Sequence, residues 1–205
     1  MEATFNLTKY MAFIETKGKE LFNPDFKVHA EDYKIIFQLL AYFLKDEKNC
    51  EKYGISLRKG ILLSGPVGCG KTSLMHLVKQ ALPPEHRYIV KSCREVSFEF
   101  IRDGYSTIRK YSNLSFNKDL PKVYCFDDLG TENSLKYYGN DCNVMTEILL
   151  SRYDLFISRR MITHITTNLN GDEIEEIYGI RVRSRLREEQ FNLIAYPFDA
   201  KDKRC

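Results

Sequence analysis

An α/β fold built on a five-stranded parallel sheet with helices on both faces is predicted by three features of the 205-residue sequence. From Gly60 onward, short apolar runs alternate with longer segments whose apolar residues recur at three and four, the pattern of strands joined by crossover helices. A glycine-rich stretch falls directly between the first apolar run and the first helical segment. A later apolar run, residues 123–126, ends in the adjacent carboxylates Asp127 and Asp128. Open parallel sheets gather their ligand groups at such carboxyl ends.

Before the first strand, Tyr10, Phe13 and Ile14 form a short apolar stripe, and Tyr33, Ile36, Phe37, Leu40 and Leu44 form a longer one, suited to packing a helix on a sheet. Strands are expected at residues 61–63, 88–90, 123–126, 162–166 and 193–195. Helices are expected at 72–82, within 94–111, at 143–158 and at 172–187, with Pro83, Pro84 and Pro121 marking boundaries. No repeat, low-complexity tract or long linker interrupts this order. Residues 1–30 are therefore expected to be a short N-terminal helical extension, and residues 31–205 one domain of ordinary size.

With 43% hydrophobic and 29% charged residues, the composition is that of a globular protein. The net charge of +3 is too small to argue by itself for nucleic acid. No apolar stretch reaches the length of a bilayer span, and residues 1–10 are acidic and polar where a secretory leader is basic and then apolar. A cytoplasmic location is expected, with no membrane partner. The six cysteines form no C-x-x-C pair and have no histidine at metal-ligand spacing, so reduced thiols are expected.

The glycine-rich stretch reads Gly65, Pro66, Val67, Gly68, Cys69, Gly70, Lys71, Thr72, followed by Ser73. It is G-x-x-x-x-G-K-T, with the strand before and the helix after that the motif requires. A loop wrapped around phosphate turns its N–H groups inward, and residues without Cβ permit the turns. The following helix aims its positive end at the anion. Lys71 is suited to the β and γ phosphates of ATP, and the Thr72 hydroxyl to Mg²⁺. On the strand that ends in two acids, Asp127 is suited to holding Mg²⁺ and Asp128 to orienting or deprotonating the attacking water. The strand at 162–166 leads into Thr166, Thr167 and Asn168, and Asn168 is placed to hold a water near the γ-phosphate. A kinase of small molecules would need a basic lid and an acceptor pocket. The two acids and Asn168 suit water activation better.

Three further blocks narrow the reading: Asp127-Asp128-Leu129-Gly130-Thr131-Glu132, Thr167-Asn168-Leu169, and Tyr178-Gly179-Ile180-Arg181-Val182-Arg183-Ser184-Arg185-Leu186. Together with the glycine loop they resemble, from about Gly60 to the C-terminus, the blocks of DnaC-type helicase loaders and IstB-type transposition helpers, both AAA+ ATPases of the P-loop NTPase class. The resemblance implies that Asn168 is sensor 1 and that Arg185 is an arginine finger acting on a neighbouring subunit's ATP. Arg204 is the nearest candidate for sensor 2, and a C-terminal lid that is minimal or absent is expected. It also implies a homo-oligomer in the ATP state, single-stranded DNA as a ligand, and a replicative helicase or a transposase as partner. The corresponding DNA-contacting stretch holds Phe98, Arg102, Tyr105 and Arg109 at spacings of four, three and four. A continuous helix would show them on one face, joining base stacking to phosphate neutralisation, unless Gly104 breaks it.

Overall fold

The computed structural model describes residues 5–132, 135–137 and 140–203. In chain order its elements are α1 (Leu7–Leu21), α2 (Asp32–Phe43), α3 (Glu47–Lys52), β1 (Gly60–Ser64), α4 (Lys71–Ala81), β2 (Ile89–Ser92), α5 (Cys93–Asp103) and α6 (Tyr105–Tyr111). There follow β3 (Phe116–Asn117), β4 (Leu120–Pro121), β5 (Tyr124–Leu129), β6 (Leu135–Tyr137), β7 (Asn140–Cys142), α7 (Val144–Arg159), β8 (Thr163–Thr167), α8 (Gly171–Ser184) and β9 (Phe191–Ala195). The chain forms two compact units. One holds residues up to Leu57, Gly65–Arg87 and residues from Ile194 on; the other holds Arg58–Ser64 and Tyr88–Leu193.

In the first unit, Asn6 caps α1 by accepting from the Lys9 amide at 3.0 Å. Gly18 gives α1 a notch for a ring, because a Cβ there would stand 2.1 Å from Phe26. Both α1 and α2 pack against α4. The α2 stripe is buried at Ile36, Phe37 and Leu40, while Tyr33 is exposed.

The sheet has the strand order β2-β5-β8-β1-β9 and belongs to the second unit apart from the last two residues of β9. β2 with β5, β5 with β8, and β8 with β1 pair in parallel, as expected of strands joined by helices. Leu62, Tyr124, Phe126, Ile165 and Phe191 share one core with Val96 and Phe100 of α5, Met145 and Ile148 of α7, and Ile174, Tyr178 and Val182 of α8. Arg152 on α7 is wholly buried in this unit. Its guanidinium makes five hydrogen bonds, to the side chains of Thr163 and Ser115 and to the carbonyls of Tyr111, Lys122 and Ile162. A buried cation is tolerable only with such satisfaction. His164 is buried too, and its Nδ1 accepts from the Ile61 amide at 3.0 Å. Burial first, and then the charge of Arg152, pull its pKa down to about 3, so it stays a neutral acceptor.

All five expected sheet strands form, each within three residues of its expected bounds. Two expected helices are interrupted. The segment at 94–111 divides into α5 and α6 at Gly104, which adopts φ 58°, ψ −143°, a conformation open to glycine and costly for other residues. Within α8, Gly179 is non-helical at φ 81°, ψ 163°, and the segment ends in a π-helical turn, Arg185–Glu189. The antiparallel pairs β3–β4 and β6–β7 are too short to leave a periodic signal.

Candidate active site

Gly65 follows directly on the carboxyl end of β1, and α4 opens six residues later at Lys71. Gly70 is the N-cap of α4, with φ 99°, ψ 12° and no side chain capping the helix, so the first-turn amides suit an anion. Gly68, at φ 81°, is closely covered: a Cβ there would lie 2.1 Å from an Asp202 carboxylate oxygen. Lys71 is buried, and its ammonium donates to the carbonyls of Gly65 at 2.8 Å and Pro66 at 2.9 Å. The loop thus carries a cation along its own backbone. Cys69 is fully buried. Burial pushes its thiol pKa up, against the opposing influence of the Lys71 and Lys203 ammonium groups, which leaves a filler thiol rather than a reactive one.

The residues after β9 clasp this loop. The Lys203 amide donates to Gly68 O at 3.0 Å, and its ammonium donates to Cys69 O at 2.9 Å. That ammonium also pairs with Asp32 and, at 3.3 Å, with Glu31. Asp32 in turn accepts from Tyr196 Oη and from the His29 amide, each at 3.0 Å. Arg204, the residue expected near the phosphates, lies outside the described residues. Its neighbour Lys203 places a second cation on the loop, and nothing distinguishes it in the sequence from the other basic residues of a polar tail. A cavity of 540 Å³ in the same unit is lined by Phe22, Phe26, Val28, Gly70, Ser73 and Leu74, among others.

The acids belong to the second unit. The register between β5 and β8 shifts between Phe126 and Leu129, and Asp128 takes the left-handed conformation at φ 55°. Such an irregularity re-aims side chains at the end of a strand, and aspartate tolerates the left-handed region better than most residues. Thr166 holds both acids. Its hydroxyl donates to Asp127 Oδ1 at 2.6 Å and accepts from the Asp128 amide at 2.9 Å. With one proton to give and one lone pair so engaged, the hydroxyl orients a buried Asp127.

The turn beyond is tied in the same manner. Thr131 Oγ1 donates to Asp128 O at 2.8 Å, and the Gly130 amide donates to Glu132 Oε2 at 3.0 Å. Tyr178 Oη donates to the other Glu132 oxygen. Burial, then Glu132, push the Tyr178 hydroxyl pKa well up, so it remains a donor. Thr167 Oγ1 donates to Leu129 O at 2.8 Å. Asn168 stands exposed one residue past β8. The neighbouring carboxyl ends of β5 and β8 therefore bring Asp127, Asp128 and Thr166 together, and Asn168 follows next along the chain after β8. The role of Thr166 escapes sequence reasoning because its partners lie 38 and 39 residues away.

The four arginines near α8 have different surroundings. Arg181 and Arg187 are exposed. Arg183 is tied to Glu175 and, at 2.9 Å, to Asp172. The Arg185 guanidinium carbon lies 3.9 Å from the centroid of the Tyr153 ring. On α5 and α6, Phe98, Arg102, Tyr105 and Arg109 are all exposed, although Gly104 divides the face expected to be continuous. Arg102 pairs with Asp103 at 2.6 Å. Glu99 anchors this region to its neighbours, accepting from Lys110, Lys91 and Tyr111. Burial raises the Glu99 pKa, but those three donors outweigh it and bring it to about 2.

A family model described as "ATPase family associated with various cellular activities (AAA)" matches residues 61–191, well over half of the chain. The chain belongs to the AAA family. Members of this family bind and hydrolyse ATP, typically with Mg²⁺. Human mitochondrial chaperone BCS1 is 28% identical over 127 residues, 62% of this chain and 30% of that protein. Cell division control protein 48 homolog B of Arabidopsis thaliana is 24% identical over 174 residues, 80% of this chain and 26% of that protein. The AAA chain thus spans less than a third of the length of these curated relatives. Among solved structures, the DnaC helicase loader superposes with a TM-score of 0.55 at 17% identity, over 92% of this chain and 99% of that one. AMPPCP-bound DnaA from Aquifex aeolicus gives 0.51 at 18% identity, over 86% and 49%. At such identities the likeness is one of fold. Among the described residues, no helix of this AAA protein is long and apolar enough to cross a membrane.

Proposed function

We propose that this AAA protein is an ATP-hydrolysing helicase loader of the DnaC type, acting in DNA replication and binding single-stranded DNA. The observation that carries hydrolysis is the grip of Thr166 on Asp127 and Asp128 at the carboxyl ends of β5 and β8, on the sheet whose β1 leads into the glycine loop. The oxygen donors of Asp127 and Thr72 are the hard ligands that Mg²⁺ prefers. When bound, Mg²⁺ neutralises charge that develops on the phosphates.

Each residue has a role in this reading. The amides from Gly65 to Thr72 cradle the phosphates, and Lys71 exchanges the carbonyls of Gly65 and Pro66 for phosphate oxygens. Ser73 and the cavity beside Phe22 and Phe26 take the sugar and base, so residues 1–30 contribute to the nucleotide site. Asp128 orients the water, Asn168 holds it beside the γ-phosphate, and Arg185 of one subunit completes the site of another. Sensor 2 falls to Arg204.

For DNA, the support is the exposed set Phe98, Arg102, Tyr105 and Arg109, which joins stacking surfaces to phosphate-binding cations. The same blocks serve transposition helpers, and the partner captured from the native source, a replicative helicase or a transposase, separates the two. The central test is phosphate release with and without single-stranded DNA, combined with size-exclusion in ATP. Turnover together with a larger species that needs both nucleotide and DNA is expected. ATP-independent assembly without turnover would defeat the reading. Arg109→Ala should weaken DNA binding and flatten its salt dependence by about one ion.

A further inference from the structure

We infer that Tyr153 is a positioning residue for Arg185, a rigid aromatic platform that pre-sets the guanidinium before a neighbouring subunit arrives. The inference rests on the proposed reading of Arg185 as a finger acting in trans. Its own basis is the set of contacts within the sheet-bearing unit.

Arg183 is committed to the carboxylates of Glu175 and Asp172, whereas among the described residues Arg185 pairs with no carboxylate. Its Nε is buried without a hydrogen-bond partner, and the flat group lies 3.9 Å from the centre of the Tyr153 ring. That is well inside the range of cation–π attraction. The ring is a fixed surface. Tyr153 is buried on α7 and follows directly on Arg152, the residue that five hydrogen bonds lock to the surrounding backbone and side chains.

The arginine's own segment is equally constrained. Val182 and Leu186 are buried in the core on either side of it, and the non-helical Gly179 and the π-helical turn at Arg185–Glu189 set its direction. A ring held against the guanidinium restrains a long side chain, and an arginine restrained in advance loses less freedom when the subunits meet.

The test compares Tyr153→Phe, which keeps the ring, with Tyr153→Leu and Tyr153→Met, which keep apolar volume but remove the π face. Leu and Met variants that remain folded by circular dichroism should lose roughly ten-fold in kcat, the scale of a desolvated cation–π contact. Their KM for ATP should stay within about two-fold of the parent, because the affected group acts on another subunit. Tyr153→Phe should retain turnover.

The decisive readout is mixing. A Tyr153→Leu subunit has a sound site and a poor finger, whereas Lys71→Ala has a sound finger and no site, so the mixture should recover turnover. A merely structural defect would not be rescued in this manner. The inference falls if the Leu and Met variants turn over like the parent, or if their loss persists in the mixture, while Arg185→Ala is inactive and is rescued by Lys71→Ala. If Arg185→Ala keeps full turnover, or is not rescued, the finger reading itself fails and takes the inference with it. Should both Leu and Met variants unfold, Tyr153 is a core residue and the inference is overturned.

Discussion

The glycine loop and the acidic turn are both tight and irregular, yet they are held in opposite ways. The loop is shaped by residues that lack a Cβ and is bound by cations: Lys71 on the carbonyls of Gly65 and Pro66, Lys203 on Cys69. The turn from Asp127 to Glu132 is tied by side-chain hydrogen bonds from Thr166, Thr131 and Tyr178, and it pairs an aspartate at φ 55° with one glycine, Gly130, at φ 107°. One surface is built to receive an anion, the other to present one. Substitutions in the loop should therefore act on nucleotide binding, and substitutions in the turn on the chemical step.

The sharpest separation should come from Lys71→Ala against Asp128→Asn. The first removes the loop's cation and should abolish nucleotide binding and turnover together. The second should lower phosphate release by roughly 10²- to 10⁴-fold, the usual contribution of a positioned acid or base, while leaving nucleotide affinity nearly intact. Equilibrium binding of a fluorescent ATP analogue beside phosphate release reads both. Loss of binding in Asp128→Asn would break the comparison.

Thr166→Val should show how much of the turn depends on a single hydroxyl. It removes the donor to Asp127 and the acceptor for the Asp128 amide with almost no change of shape. Losing these two hydrogen bonds, one of them to a carboxylate, costs about 1–3 kcal/mol, measurable by urea denaturation. Turnover should fall with it, and Thr166→Ser should restore both.

These predictions also mark what the sequence made legible. The strands, the loop and the pair of acids are local patterns, so alternation and spacing were enough to place them. Glycine requirements are written at the position that needs them. Thr166, by contrast, acts through a register that only the sheet sets, and nothing near it in the chain names its partners. Tyr153 and Lys203 are opaque for the same reason, since Tyr153 looks like an ordinary apolar residue of a helix and Lys203 like a solvated tail charge. The division of the expected helix at Gly104 was written in the sequence as a glycine. The π turn at Arg185 was not, because no residue type in its segment marks one; the residues around it, Val182 and Leu186, lie in the core that β5 and β8 help to line.

Acid should act on the sheet-bearing unit through His164. Its pKa is depressed to about 3 in the folded protein, so the unfolded chain takes up a proton below the ordinary value while the folded chain does not. The sign is one of stability present above pH ~6.5 and lost as pH falls toward 3, at about 1.4 kcal/mol per pH unit within that window. Glu99, lowered to about 2, adds a loss of the same sign below about 4.5. Between pH 6.5 and 5 the two are separable, because only the histidine term is changing there. His164→Asn keeps an acceptor for the Ile61 amide and should flatten the slope in that range by about one proton, as followed by urea denaturation at stepped pH.

The smallest effect is expected at the clasp on the loop. Lys203 is a single ammonium shared among Cys69 O, Asp32 and Glu31, so Lys203→Met removes one support while the glycines keep the loop's shape. Partly exposed ion pairs contribute little individually, up to about 1 kcal/mol. Nucleotide affinity should accordingly weaken by no more than about five-fold, with kcat at saturating ATP unchanged. Asp32→Asn should behave alike, and the double variant should be no worse than either alone if the two residues act as one clasp. Strict additivity in that cycle would mean that Lys203 meets the nucleotide directly rather than through the loop, and would move it from the support of the site into the site itself.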